Sequence, residues 1–199
     1  MKNKQVIESK ITALGGTSEN PMCKSDVNHP VDPSSLTRLE TIYQEIIPDV
    51  FKFFYEKYGP FSFNKNVGIK CLAKNPIGGD DNVVSANYFY SFEQGSECSI
   101  DSFLSTYPEL LRQKLLPICE GEPGDLICIE LNSGRLYYWC HEEGENENLY
   151  LVAENFMDFI VRLEVQEDVY DERIEKVKMT LTPEFLEMLK KSGYGPKQK

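Results

Sequence analysis

What the sequence lacks bounds its function first. It holds two histidines, one tryptophan and no excess of positive charge: 21 Lys and Arg stand against 32 Asp and Glu, a net of −11. Phosphate recognition needs clustered Lys and Arg, so a surface built for direct nucleic-acid binding is not expected. No apolar run reaches the roughly 18 residues that a membrane span requires, so no membrane partner is expected either. The opening Met1-Lys2-Asn3-Lys4-Gln5-Val6-Ile7-Glu8 has lysines but no apolar stretch, and reads as no secretory leader. The six cysteines, at 23, 71, 98, 119, 128 and 140, include no CxxC pair, so zinc-knuckle spacing is absent. Cys128 lies within Leu-Ile-Cys-Ile and reads as a small buried hydrophobe. The thiols are expected to be reduced, in a cytosolic (cytoplasmic) protein.

Catalytic signatures are missing as well. No G-x-S-x-G, HExxH or Walker spacing occurs. His29 sits in a proline-flanked stretch. His141 follows Cys140, and adjacent strand residues point to opposite faces, so the two do not make a nucleophile–base pair. No enzyme activity, metal or cofactor is expected. The Asn75–Asn82 stretch, with two glycines and Asp80 and Asp81, lacks any fuller phosphate-loop or calcium-loop spacing and reads as an ordinary loop.

What is present is a globular composition, 41% hydrophobic and 12% aromatic over 199 residues, which suits one domain with extensions. The charge is regional. Met1 to Phe92 carries 10 acidic and 10 basic residues, whereas Glu93 to Pro183 carries 20 acidic and 7 basic. Such an excess serves solubility, or it marks one face for a basic partner; composition alone leaves both readings open.

Periodicity organises the chain. Residues 1–34 look peripheral, an N-terminal arm or leader, with turn chemistry and no periodicity at Gly15–Pro21 and Asn28–Pro33. Leu36, Leu39, Tyr43, Ile46, Val50 and Phe54 recur at helical steps. Pro48 splits them into one helix to about Glu45, capped by Ser34 or Ser35, and a second from Pro48 to Tyr58 that Gly59 ends. Val67–Ala73 and Tyr88–Phe92 read as strands. Ser99–Leu116 reads as helix in two pieces, broken near Pro108 and stopped by Pro117. Leu126–Leu131 and Leu136–Cys140 form a hairpin in which Leu131 faces Leu136, Ile129 faces Tyr138 and Cys128 faces Trp139. Both its faces are apolar, so it belongs in mid-sheet. Leu149–Ala153 is a further strand. Asn155 caps a helix with Asp158 three residues on, and Phe156, Phe159, Ile160 and Leu163 form its inner stripe. In the tail, Thr182-Pro183-Glu184 starts a helix that Gly193 can end.

The run Leu115 to Glu142, with Gly124-Asp125, Gly134, Tyr137, Trp139, His141 and Glu142, resembles the SUKH superfamily. Within it the match is to the branch of fungal Smi/Knr-type cell-wall-assembly regulators and many bacterial proteins. Ile47-Pro48-Asp49, Phe53-Phe54 and Lys57-Tyr58-Gly59 fit the same pattern upstream, and Val152 to Phe156 with Phe159 fit it downstream. Cys140 stands where that family usually has Asp. The resemblance covers about residues 35–165 and leaves 166–199 as a helical extension. It implies a single α+β domain, a mostly antiparallel curved β-sheet with helices packed around it. Pro48, Gly59, Gly124, Asp125, Gly134, Tyr137, Trp139 and His141 would then serve mainly the fold. In bacteria such proteins resemble immunity proteins of polymorphic toxin systems, contact-dependent ones included, which bind and inhibit a cognate toxin domain in the cytosol, often a nuclease. In fungi the relatives are signalling scaffolds or regulators without a toxin partner. The immunity reading gives the acidity a role: a cognate toxin domain with a basic surface would meet Glu142, Glu143, Glu145 and Glu147, together with Glu120 and Glu122. These two segments flank one hairpin at the end where its strands open.

Overall fold

The computed structural model describes residues 2–19, 32–96, 98–144 and 147–166. Contacts divide the chain into residues 1–166 and 167–199. The second unit, with the helix expected from Thr182 to Gly193, lies outside the described residues, as does His29.

The first unit opens with α1 (Lys2–Ala13) and β1 (Thr17–Glu19). Both lie in the expected peripheral arm, yet Ile7, Ile11 and Leu14 are buried and α1 packs on two later helices. Their spacing of four and three residues turns one apolar stripe inward. Then come α2 (Pro33–Tyr43) and α3 (Asp49–Tyr58), split at Pro48 as the sequence predicts. The cap of α2 is Asp32, not Ser34 or Ser35: its carboxylate accepts from the Ser34 amide at 2.9 Å, and Pro33 opens the helix. Pro48 sits at the N-cap of α3, where its missing N–H does no harm. Gly59, at φ +60°, ends that helix.

Three antiparallel sheets follow. β2 (Phe61–Phe63) pairs with β1; β3 (Val67–Lys70) lies between β4 (Val83–Ser85) and β9 (Glu164–Val165). The main sheet has the order β5 (Leu115–Glu120), β6 (Leu126–Glu130), β7 (Leu136–Trp139), β8 (Leu149–Ala153). Before it stand the short helices α4 (Asp101–Thr106) and α5 (Glu109–Arg112), parted near Pro108 as expected. After it comes α6 (Phe156–Arg162), whose Asn155 side chain caps Asp158 at 3.0 Å while Asp158 accepts from the Glu154 amide. The fold is α+β.

Three expectations about the β structure need correction. The helical reading runs too far: residues 115–120 are β5, and Lys114, at φ +57°, turns the chain out of the helix first. Pro117 sits inside that strand, where the register shifts between Pro117 and Cys119. Tyr88–Phe92 is not a continuous strand but a series of single bridges, to Ser62, Cys119 and Ser99 in turn. The hairpin slips by two residues from the expected pairing: Ile129 faces Leu136, Ile127 faces Tyr138 and Cys128 faces Tyr137. Gly134, at φ +75°, makes the connection longer, its amide bonding the Glu130 carbonyl at 2.8 Å. A slip of two preserves the face of every side chain, so the hairpin still lies mid-sheet with Leu126 to Ile129 fully buried.

The core is rich in rings. Phe51 and Phe54 of α3 each meet Phe156 of α6 at 5.0 Å, edge-on, and Tyr55 stacks on Phe92 at 4.4 Å. Tyr43 reaches across to donate to the Leu115 carbonyl at 2.7 Å. Cys71, Cys119, Cys128 and Cys140 are free and buried, but Cys98 is disulfide-bonded. The expectation of six reduced thiols fails there, because spacing along a chain says nothing of which sulfurs the fold brings together. No helix among the described residues is long and apolar enough to cross a membrane.

Candidate functional site

One end of the main sheet gathers most of the chemistry. There β5 turns into β6 through Gly121 to Asp125, and β7 leads to β8 through His141 to Asn148. The first connection is tight: the Gly121 amide donates to the Asp125 carbonyl at 3.0 Å, and the Asp125 amide to the Glu122 carbonyl at 2.8 Å. Gly124 takes φ +91°, and a Cβ there would stand 2.7 Å from Cε1 of the His141 ring. A Cβ on Gly121 would stand 2.5 Å from the Tyr138 ring. Both glycines let the turn close against aromatic faces of β7 and the residues beyond it.

Asp125 joins the two connections. Its side chain is buried, which for a carboxylate requires full satisfaction. Oδ2 accepts from the Tyr138 hydroxyl at 2.6 Å; Oδ1 accepts from the His141 amide at 3.0 Å and lies 2.7 Å from His141 Nδ1. The Glu122 amide in turn donates to the Tyr138 oxygen at 3.3 Å. Burial and the bond to Asp125 push the Tyr138 hydroxyl far above its ordinary range, so it stays a donor.

Five of the carboxylates expected to meet a partner lie among the described residues. Glu120 ends β5 and Glu122 lies in the turn, exposed. Burial, then the neighbouring Glu122, raise the Glu120 carboxyl above the usual range. Glu142 is 80% exposed, with its carboxylate 4.0 Å from His141 Nε2. Glu143 is half-buried and accepts from the Tyr150 hydroxyl of β8. That bond, then burial, push the Tyr150 hydroxyl up to about 12. Glu147 is exposed; Glu145 lies outside the described residues. Cys140, where the family pattern has Asp, is buried, and its thiol is pushed up by burial above all.

The remaining motif residues lie elsewhere. Pro48 and Gly59 bracket α3, and Gly134 is in the β6–β7 turn at the opposite end of the hairpin. Trp139 is buried edge-on against Tyr107 at 4.8 Å, and Tyr137 is half-buried opposite Cys128. In the 75–82 loop, Asn82 donates to the carbonyls of Cys71 and Ala73 and accepts from the Asn75 amide, so it braces the loop from within. Among the described residues, no group of three or more His, Cys, Asp or Glu side chains comes together to hold a metal.

Sequence reasoning missed Gly121 and the polar role of Tyr138. The two-residue slip hides them. In the expected register Asp125 stands across from Glu142; in the observed one it stands across from Cys140, between Tyr138 and His141.

The family model described as the SMI1 / KNR4 family (SUKH-1) matches residues 30–162. The chain belongs to the SMI1/KNR4 (SUKH-1) family. The match takes in α2 through α6, and with them the whole Asp125 network; α1 and β1 lie outside it. A curated relative, the SPbeta prophage-derived uncharacterized protein YokK of Bacillus subtilis (strain 168), is 25% identical over 139 residues, which is 64% of this chain and 72% of the relative. No solved structure matches the chain.

Proposed function

We propose that this SUKH-1 chain is an immunity protein, which binds a cognate toxin domain of a polymorphic, contact-dependent or related system in the cytosol. It neutralises the toxin by covering its working surface and performs no chemistry of its own. One observation carries the reading: the two acidic segments that flank the β6–β7 hairpin lie at one end of the main sheet, where the buried Asp125 carboxylate of one accepts from the His141 amide of the other. A nuclease must present a basic surface to phosphate, and a rigid acidic face complements it. The relative's name, prophage-derived, supports a setting among mobile elements.

Coexpression tests the proposal. The toxin domain encoded beside the gene is induced with and without this chain, and growth should be restored when the chain is present. A toxin that still kills with the chain well expressed overturns the reading for that pair. Stable complexes with resident proteins and no adjacent toxin gene would favour a scaffold instead.

A further inference from the structure

The Asp125–His141 pair fixes more than the fold. Tyr138 receives the Glu122 amide at its oxygen, so its own proton goes to Asp125 Oδ2. The His141 backbone N–H is already a donor to Oδ1. Asp125 therefore acts as an acceptor throughout, and the ring nitrogen 2.7 Å from Oδ1 must carry a hydrogen. In the neutral ring that fixes the Nδ1–H tautomer and leaves the Nε2 lone pair free. The ring cannot turn its other edge inward without losing this bond, and Gly124 lies flat against it. Nε2 has no hydrogen-bond partner among the described residues. The side chain is 29% exposed, and the Glu142 carboxylate stands 4.0 Å from Nε2, beyond bonding distance. An acceptor held still beside other acceptors suits one class of group: a cationic donor, which pairs with Nε2 and Glu142 together.

We propose that His141 is a contact residue of this surface, presenting Nε2 to an arginine or lysine of a protein partner, and that Asp125 is its positioning residue. The inference rests on the immunity reading for the partner's identity, but its chemistry is testable without the toxin. The groups facing His141 are Asp125 from the β5–β6 connection, Tyr138 of β7 through Asp125, and Glu142 on its own loop. Asp125, itself fixed as an acceptor by the Tyr138 hydroxyl, keeps Nδ1 a donor, whereas Glu142 faces the Nε2 edge.

The test uses the ¹⁵N-labelled full chain. Long-range proton–nitrogen correlation at a pH where the ring is neutral should show the Nδ1–H tautomer, and Asp125→Asn should erode that preference. A hexa-arginine peptide is then titrated in. In the wild-type chain the Nε2 resonance should move. His141→Asn retains an amide donor toward Asp125 but ends short of Nε2, and should bind the peptide about tenfold more weakly at an unchanged melting temperature. An Nε2–H tautomer in the wild type overturns the proposal. So does an Nε2 resonance that the peptide leaves in place, or an Asn variant that binds as well as the parent. A failure of the chain to protect cells from the neighbouring toxin would instead count against the immunity reading and leave these readouts unaffected.

Discussion

At the scale of single residues, the acidic end of the sheet is not uniform. Glu142 and Glu147 stand in water, whereas Glu120 is partly withdrawn from it and pressed by Glu122. Its carboxyl is raised in the folded chain, so folding favours the protonated form. The linkage follows: the ionised side chain opposes folding at neutral pH, and that penalty disappears as pH falls through the raised value toward the unfolded one. Glu120→Gln should therefore stabilise the chain at neutral pH, by under about 1 kcal/mol because the group keeps much of its water. The gain should vanish in acid, below both values. Denaturant unfolding of parent and variant across that range reads the difference directly. A constant gap at every pH would show that packing, and not charge, separates them. The same substitution removes an attraction for a cationic partner, so at this residue stability and binding pull in opposite directions.

At the scale of elements, legibility followed periodicity. The split at Pro48, the Asn155 cap and the two-faced apolar hairpin were readable because proline, a capping side chain and alternation act locally. β5 was not. Leu115 and Leu116 continue the apolar steps of the preceding helix, and the residue that breaks the phase is Lys114 in a left-handed conformation, which no pattern marks. The network at Asp125 was half legible: Asp125 and His141 stood out by resemblance, but their meeting depended on a register set by Gly134 and the β6–β7 turn. α1 was the opposite case. Its polar faces dominate the sequence, and only Ile7, Ile11 and Leu14 mark the stripe that α3 and α6 cover. The helix lies outside the family match, so it adds core to this chain beyond the shared domain. Lys4 also lies over the Phe53 ring at 4.3 Å, and Lys57 pairs with Glu8. Ile7 is fully buried, and Ile7→Ala should destabilise by about 2–5 kcal/mol, a lowered midpoint in urea with the slope retained. A dispensable leader would leave the midpoint in place.

At the scale of the whole molecule, the net charge of −11 resolves into a neutral first half and an acidic second half. The fold sharpens this further. Much of the positive charge among the described residues is engaged in ion pairs: Arg38 with Asp101, Lys52 with Glu40, Arg135 with Glu154, Arg162 with Asp158. Glu122, Glu142 and Glu147, exposed at the β5–β6 and β7–β8 connections, enter none of these four pairs, so carboxylates outnumber cations on the described residues of the two connections. Exposed charges act mainly on encounter, and salt weakens that steering because it shortens the screening length, to about 8 Å at physiological ionic strength. The association rate with a basic toxin domain should accordingly fall about tenfold or more from low to high salt, with dissociation little altered. Replacing Glu120, Glu122, Glu142, Glu143 and Glu147 together by Gln should bring the low-salt rate down toward the high-salt one and flatten the dependence. Stopped-flow mixing at several salt concentrations measures both effects. The comparison separates the two roles the acidity can have, since charge that serves only solubility leaves the rate of encounter indifferent to salt and to these five side chains, whereas charge that steers a basic surface loses its effect along the same curve whether it is screened or removed.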